Sequence, residues 1–179
     1  MLATIHSGAV IGVDAYPVDV EVDLTKGMMV FSTVGLPSGA ICESKTRVKS
    51  ALINTELTFP QKRVVVNLAP AHIKKDGTAF DLPICLGILV ADGQLPAELL
   101  RETVVVGELS LDGRLRPVRG LLPLAAWAKR QGLKRLLVPE ENAEEAAAVG
   151  GLEVWVARDL AEVVAVGRGE AQPRLLSRD

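Results

Sequence analysis

Two periods of apolar residues alternate along this chain, and the changes between them mark its elements. From Tyr16 to Leu24, the apolar Val18, Val20, Val22 and Leu24 alternate with Asp19, Glu21 and Asp23. That period of two predicts a strand with one buried and one wet face. Leu2 to Ile11 reads as a strand before it, with Gly12-Val13-Asp14 as the hairpin turn. Val30 to Val34 follows Lys26-Gly27 as a third strand, and the short connections predict an opening antiparallel meander. The period then lengthens. Ser38, after Gly35-Leu36-Pro37, is placed to cap a helix with its hydroxyl, and Ala40, Ile41, Val48, Ala51 and Leu52 recur at helical spacing up to about Asn54.

The stretch from Val64 to Val90 organises the rest of the chain. Val64-Val65-Val66-Asn67-Leu68 is a β-branched run that predicts a buried strand. Ala69 to Thr78 is a polar turn holding Pro70, two lysines, Asp76 and Gly77, and an apolar helical pattern runs from Ala79 to Gly93. A loop gripped between a strand and a buried helix is a good frame for a site. Leu95 to Leu100 is a short helical turn, Thr103 to Leu109 is β-rich, and Asp112-Gly113 between Leu111 and Leu115 predicts a hairpin. Gly120 precedes a helix through Leu121, Leu124, Ala125 and Ala128, which Gly132 closes. Strands at Leu136 to Val138 and Leu152 to Ala157 alternate with helices at Glu140 to Val149 and from Asp159 to about Gly167, which predicts parallel pairing with right-handed crossovers. Periodicity is lost from Gly169 to Asp179. The fold class expected is mixed α+β and α/β: antiparallel N-terminal strands, then βαβ-type units, in one domain over residues 1–168, with 169–179 as a linker or tail.

Composition narrows the functions available. Of 179 residues 49% are hydrophobic, so a full core forms, yet only 3% are aromatic. Aromatic stacking platforms for single-stranded nucleic acid are therefore scarce. A formal net charge of -2 confines any nucleic-acid contact to a local patch. Cys42 and Cys85 both fall in apolar helical patterns and read as buried free thiols; with His6 and His72 they form no zinc-type ligand spacing. No stretch approaches the roughly 18 uninterrupted apolar residues of a membrane span, and a cytoplasmic location is expected.

The candidate chemistry is sparse. Neither GxxxxGK[ST] nor GxGxxG occurs, so no glycine loop cradles phosphates here and no cofactor is expected in this chain. Thr78 is the hydroxyl in the Lys75-Asp76-Gly77-Thr78-Ala79 loop, but a nucleophile needs a base, and Leu122-Pro123-Leu124 on the facing helix supplies none. Thr78 reads instead as a helix cap. Asp76 and Asp81 flank the loop as ordinary first-turn acids, Asp81 accepting local backbone N–H groups. His72 reads as a loop histidine. Lys45, Arg47 and Lys49 on the first helix, with Arg114, Arg116 and Arg119 along the hairpin, form a possible patch for nucleic acid or a partner.

Several longer words resemble one family. They are Gly8-Ala9-Val10 with Val20-Glu21-Val22-Asp23; Val34-Gly35-Leu36-Pro37; Glu43-Ser44 with Arg47-Val48; Val66-Asn67-Leu68-Ala69-Pro70-Ala71; Lys75 to Ile84; Gly107 to Gly113; and Val138-Pro139-Glu140-Glu141-Asn142. In order and nearly end to end, they resemble the N-terminal domain of the ComM/YifB family of magnesium-chelatase-like AAA+ proteins. Departures fall at Met28-Met29-Val30-Phe31 and Ser38-Gly39. The resemblance implies a fold similar to the proteolytic domain of Lon protease, a superfamily shared with GHMP kinases. It also implies that the serine of Lon's serine–lysine dyad falls on Ala79 and the lysine on Leu122, so both members are missing. It further implies, for full-length proteins, an AAA+ module using ATP and magnesium, a hexameric ring, and ATP-dependent DNA branch migration in natural transformation. On that basis the chain is expected to be a non-catalytic domain that binds DNA or a partner, its own AAA+ module included, or helps assemble the ring. The alternatives are a residual hydrolase using Thr78 and a magnesium-chelatase-related subunit.

Overall fold

Strand β1 (Leu2–Ile11) lies in the interior of one eight-stranded sheet, and the rest of the chain is laid on either side of it. The computed structural model describes residues 1–177. β1 pairs antiparallel with β2 (Asp14–Thr25) across the Gly12-Val13 turn, where Gly12 takes φ +67°. Strand β3 (Phe31–Val34) leads through α1 (Gly39–Cys42) and α2 (Ser44–Asn54) to β4 (Arg63–Ala69). Helix α3 (Asp81–Ala91) then runs beneath β1 and β2. Strand β5 (Thr103–Val105) and the small β6–β7 hairpin (Glu108–Leu109, Leu115–Arg116) precede α4 (Leu121–Arg130). The chain ends in β8 (Arg135–Pro139), α5 (Ala143–Ala147), β9 (Glu153–Ala157), α6 (Leu160–Gly167) and β10 (Arg174–Ser177). The order across the sheet is β10-β9-β8-β5-β1-β2-β4-β3.

The alternation on β2 is used as its sequence predicts. Val18, Val20, Val22 and Leu24 are buried against α3, while Asp19 and Glu21 face outward to His6 and Asn67. Helix α3 is apolar around its whole circumference because it is covered all round. Ser38 caps α1 through the Ile41 N–H, and Asp159 caps α6 through the Glu162 N–H. The parallel pairing of β8 and β9 follows the expected strand–helix–strand rhythm, and β5 joins β8 in parallel as well. Strands β5, β8 and β9 are covered on both faces. Val105, Leu137 and Trp155 join the core under α3 and α6, and Val104, Leu136 and Val154 join a second core with α4.

Two expectations give way. The meander stops at β2: β3 pairs in parallel with β4, which lies between it and β2. The connection from β3 to β4 contains two helices, long enough for a crossover, and a crossover permits parallel pairing. In the stretch expected to be a linker, Arg174–Ser177 forms β10, antiparallel to β9, and Arg174 reaches Glu140 at 2.6 Å and Glu162 at 2.9 Å. Residues 178–179, the end of that stretch, lie outside the described residues. Among the described residues no helix is long and apolar enough to cross a membrane.

Candidate functional site

The loop between β4 and α3 is fastened at both ends. Its Lys75 N–H donates to the Leu36 carbonyl at 3.0 Å, and its Lys75 carbonyl accepts from the Ser38 N–H at 2.9 Å. The Lys75 side chain is buried, and its ammonium donates to the carbonyls of Gly35, at 2.9 Å, and Pro70. Burial pushes the Lys75 pKa down. A lysine that reads as a solvated loop charge is thus the peg that holds the loop. Next to it, a hydrogen bond from the Ser38 hydroxyl, together with the Gly77 N–H at 2.7 Å, holds Asp76 below the usual carboxylate range.

The other end is fixed by a buried carboxylate. Asp81 opens α3 and accepts from Ser44 Oγ at 2.6 Å, Arg47 Nε at 2.7 Å, Arg47 Nη2 at 3.0 Å and the Leu109 N–H at 3.0 Å. Burial pushes the Asp81 carboxyl up, and these donors oppose it. Three of these four hydrogen bonds come from N–H groups that can only donate, and Arg47 brings the positive charge that pairs with the carboxylate. The Gly107 N–H meets the Ala79 carbonyl at 2.9 Å, and the Leu82 N–H meets the Gly107 carbonyl at 3.0 Å.

Between these anchors lies a cleft of roughly 410 Å³ beside Gly8 to Val10 near the end of β1. Asp76 to Phe80 form one wall, and Pro117 to Gly120 with Leu124 form another. Its polar side chains are the Thr78 hydroxyl, the Asp76 and Glu108 carboxylates and the Arg119 guanidinium; among the described residues no lysine or histidine lines it. Ala79 faces the cleft. Leu122 does not line it; it is half exposed on α4, and its N–H donates to Glu145 at 3.1 Å. His72 is an exposed loop residue outside the cleft. The capping role expected of Thr78 is not made. Helix α3 starts at Asp81 with Phe80 at its N-cap, and Thr78 contributes its carbonyl to the Asp81 N–H at 3.2 Å. The cleft can hold a chain or a small polar group, but it brings no proton acceptor of the lysine or histidine type to Thr78.

The six basic residues expected to form one patch are distributed over several places. Arg47 is withdrawn to Asp81 and to the Ala40 carbonyl at 2.9 Å. Arg119 lines the cleft, Arg116 lies 3.7 Å from Glu108, and Arg114 is exposed on the hairpin. Lys45 and Lys49 flank a separate groove of about 340 Å³, joined there by Lys62, which the sequence pattern does not single out. The one cue to the Arg47 network is that Ser44 and Arg47 share the helical face that buries Val48 and Ala51. Cys85 is buried as expected and its thiol pKa is pushed up by burial, but Cys42 is exposed at the end of the one-turn α1.

Comparison with known proteins matches residues 20–142 to the family described as subunit ChlI of Mg-chelatase. Competence protein ComM of Haemophilus influenzae is 42% identical over 169 residues, 94% of this chain and 33% of that protein. The uncharacterized protein YifB of Escherichia coli is 38% identical over 169 residues, with the same coverage. An archaeal Lon protease from Methanocaldococcus jannaschii is 27% identical over 116 residues, 65% of this chain and 18% of that protein. The chain spans about a third of the length of its ComM and YifB relatives.

Proposed function

This chain belongs to the magnesium-chelatase-like family of ComM and YifB, with a Lon-protease-like mixed α/β fold, and from that premise we propose that it is a module that binds rather than reacts. The observation that carries the proposal is Ala79. It stands in the cleft wall where the resemblance to Lon places a serine, and among the described residues no lysine or histidine lines the cleft beside it. Loss of nucleophile and base together removes a dyad more thoroughly than loss of either one.

The residues present do not fit a nucleotide triphosphate either. The loop lysine is spent on the carbonyls of Gly35 and Pro70, and the cleft sets two carboxylates against one guanidinium. In this proposal ATP and magnesium are handled by the part of ComM- and YifB-type proteins that this chain does not match. The role left to this module is to hold DNA, a protein partner or a neighbouring subunit while such a protein drives DNA branch migration in natural transformation, as the relative's name, competence protein, is consistent with.

The test is hydrolysis of unstructured fluorogenic peptides by the wild type and by Thr78→Ala. Both are expected at the buffer rate. Turnover by the wild type that disappears in Thr78→Ala makes the chain a residual hydrolase and ends the proposal.

A further inference from the structure

Strand β3 is the outer strand of the sheet, paired with β4 alone. A strand paired on one side leaves alternate N–H and C=O groups without partners. Natural edges are usually blunted by charge on the strand, by proline or by a covering element. The four residues of β3, Phe31-Ser32-Thr33-Val34, carry no charge; Val34 is 49% exposed, and the segment leading into the strand exposes Met28 at 80% and Met29 at 58%. Beside it lies the groove of about 340 Å³. Phe31 and Phe59 lie in this groove, stacked with ring centroids 6.0 Å apart. Lys45, Lys49 and Lys62 line it, and among the described residues nothing acidic does. Among the described residues Lys45 and Lys49 form no ion pair, and Lys62 reaches Asp92 only at 3.9 Å.

We propose that the β3 edge with its lysine groove is a docking site for an extended acidic peptide, added to the sheet as a further strand. The proposal names the partner class of the binding role above and rests on that role alone. Backbone donors and acceptors of β3 supply the ladder, and every second side chain of the peptide, on the groove face, brings a carboxylate to the three lysines. Single-stranded nucleic acid fits less well. Phe59 is already stacked on Phe31 and carries the Lys49 ammonium 5.6 Å from its ring centroid, so it is not an open platform for a base. A nucleic acid also makes no use of an unpaired strand edge.

The experiment measures anisotropy of a fluorescein-labelled peptide of about ten residues alternating glutamate and valine, long enough to cover the edge. Its controls are the lysine–valine counterpart, the same acidic peptide N-methylated at alternate backbone positions in each register, and labelled oligothymidylate. The acidic peptide is expected to bind the wild type, and the lysine peptide is not. The Lys45→Glu/Lys49→Glu variant is expected to weaken binding at least about tenfold, since both exposed charges are reversed. One register of N-methylation is expected to abolish binding while keeping every side chain. Circular dichroism checks that the variant is folded. The proposal is overturned by equal binding of both N-methylated registers, by oligothymidylate binding in place of the peptide, by self-association that the peptide does not displace, or by no binding at all. Peptide hydrolysis in the cleft would end the non-catalytic reading and leave this result standing, so the two failures are distinguishable.

Discussion

Arg47 illustrates how a residue's role depends on what the fold brings to it. Read along the helix it is one of three basic residues, but Asp81, 34 positions later, captures it. The guanidinium side chain is 19% exposed and the carboxylate 1%. Removing Asp81 leaves the Arg47 guanidinium poorly solvated, with only the exposed Glu43 at 3.7 Å to pair with. Asp81→Ala is therefore expected to lower unfolding free energy by roughly 3 kcal/mol, whereas removing only the Ser44 hydroxyl costs about 1 kcal/mol. Urea denaturation of the two variants checks this; equal losses would show that the charge pair adds nothing beyond the Ser44 hydrogen bond. A consequence for any charge-reversal study of this face is that Arg47 must be left in place, because its replacement tests folding. Lys75 is legible in the same limited way. The sequence presents it as a loop charge, and only the approach of the Gly35 and Pro70 carbonyls makes it a peg.

At the scale of elements, α3 and β10 lie at opposite extremes of burial. Gly87 sits in the middle of α3, where a glycine is a poor helix former, and a Cβ built there meets Val22 Cγ2 at 2.6 Å. Gly87→Ala gains about 1 kcal/mol of helix propensity. It loses about 1–3 kcal/mol to overpacking. The net effect expected is destabilisation in the wild type and stabilisation in a Val22→Ala background, a change of sign that a double-mutant cycle by denaturation reads directly. Strand β10 carries an ion-pair network at its first residue instead. The Arg174 hydrogen bond holds the Glu140 carboxyl below its usual range, with Arg158 adding to it, and Glu162 shares Arg174. A depressed folded pKa contributes stability that is complete above the ordinary glutamate range and is lost as pH falls through the folded value. Hydrogen exchange at the β10 amides, corrected for intrinsic rates, is expected to lose protection on acidification through that window. Glu140→Gln is expected to lose it already at neutral pH; persistent protection in that variant would assign the strand's stability to its backbone ladder alone. The two elements also differ in legibility. An eleven-residue apolar helix announces itself locally. Arg174-Leu175-Leu176-Ser177 carries no alternation that the eye can use, because Leu175 and Leu176 are both part exposed at the sheet's edge.

For the molecule as a whole, the sequence specifies elements well and their pairing less well. The β1–β2 hairpin is readable because the turn is local and fixes the register. The position of β3 is not, since its four residues have the same period whether they pair with β2 or beyond β4. The candidate cleft is half readable for the same reason: its loop and Ala79 come from one stretch, but Arg119 and Gly8 reach it from distant parts of the chain. What joins those distant parts is the sheet itself. Strand β5 gives Val104 to one core and Val105 to the other, and β8 does the same with Leu136 and Leu137. Two cores that share strands cannot lose one without exposing the back of the other, so a single cooperative transition is expected. The two tryptophans report on it separately. Trp155 is buried in the core under α3 and α6, and Trp127 packs on the second core from α4. Trp155→Phe leaves Trp127 as the only fluorophore of its kind and also removes an indole N–H that has no partner among the described residues. Trp127→Phe leaves Trp155. Each variant's fluorescence midpoint in urea is expected to coincide with its own far-ultraviolet circular dichroism midpoint. If Trp127 fluorescence changes at lower urea than the dichroism, the α4 side opens first, and the cleft it lines would be a separately unfolding unit instead of a rigid wall.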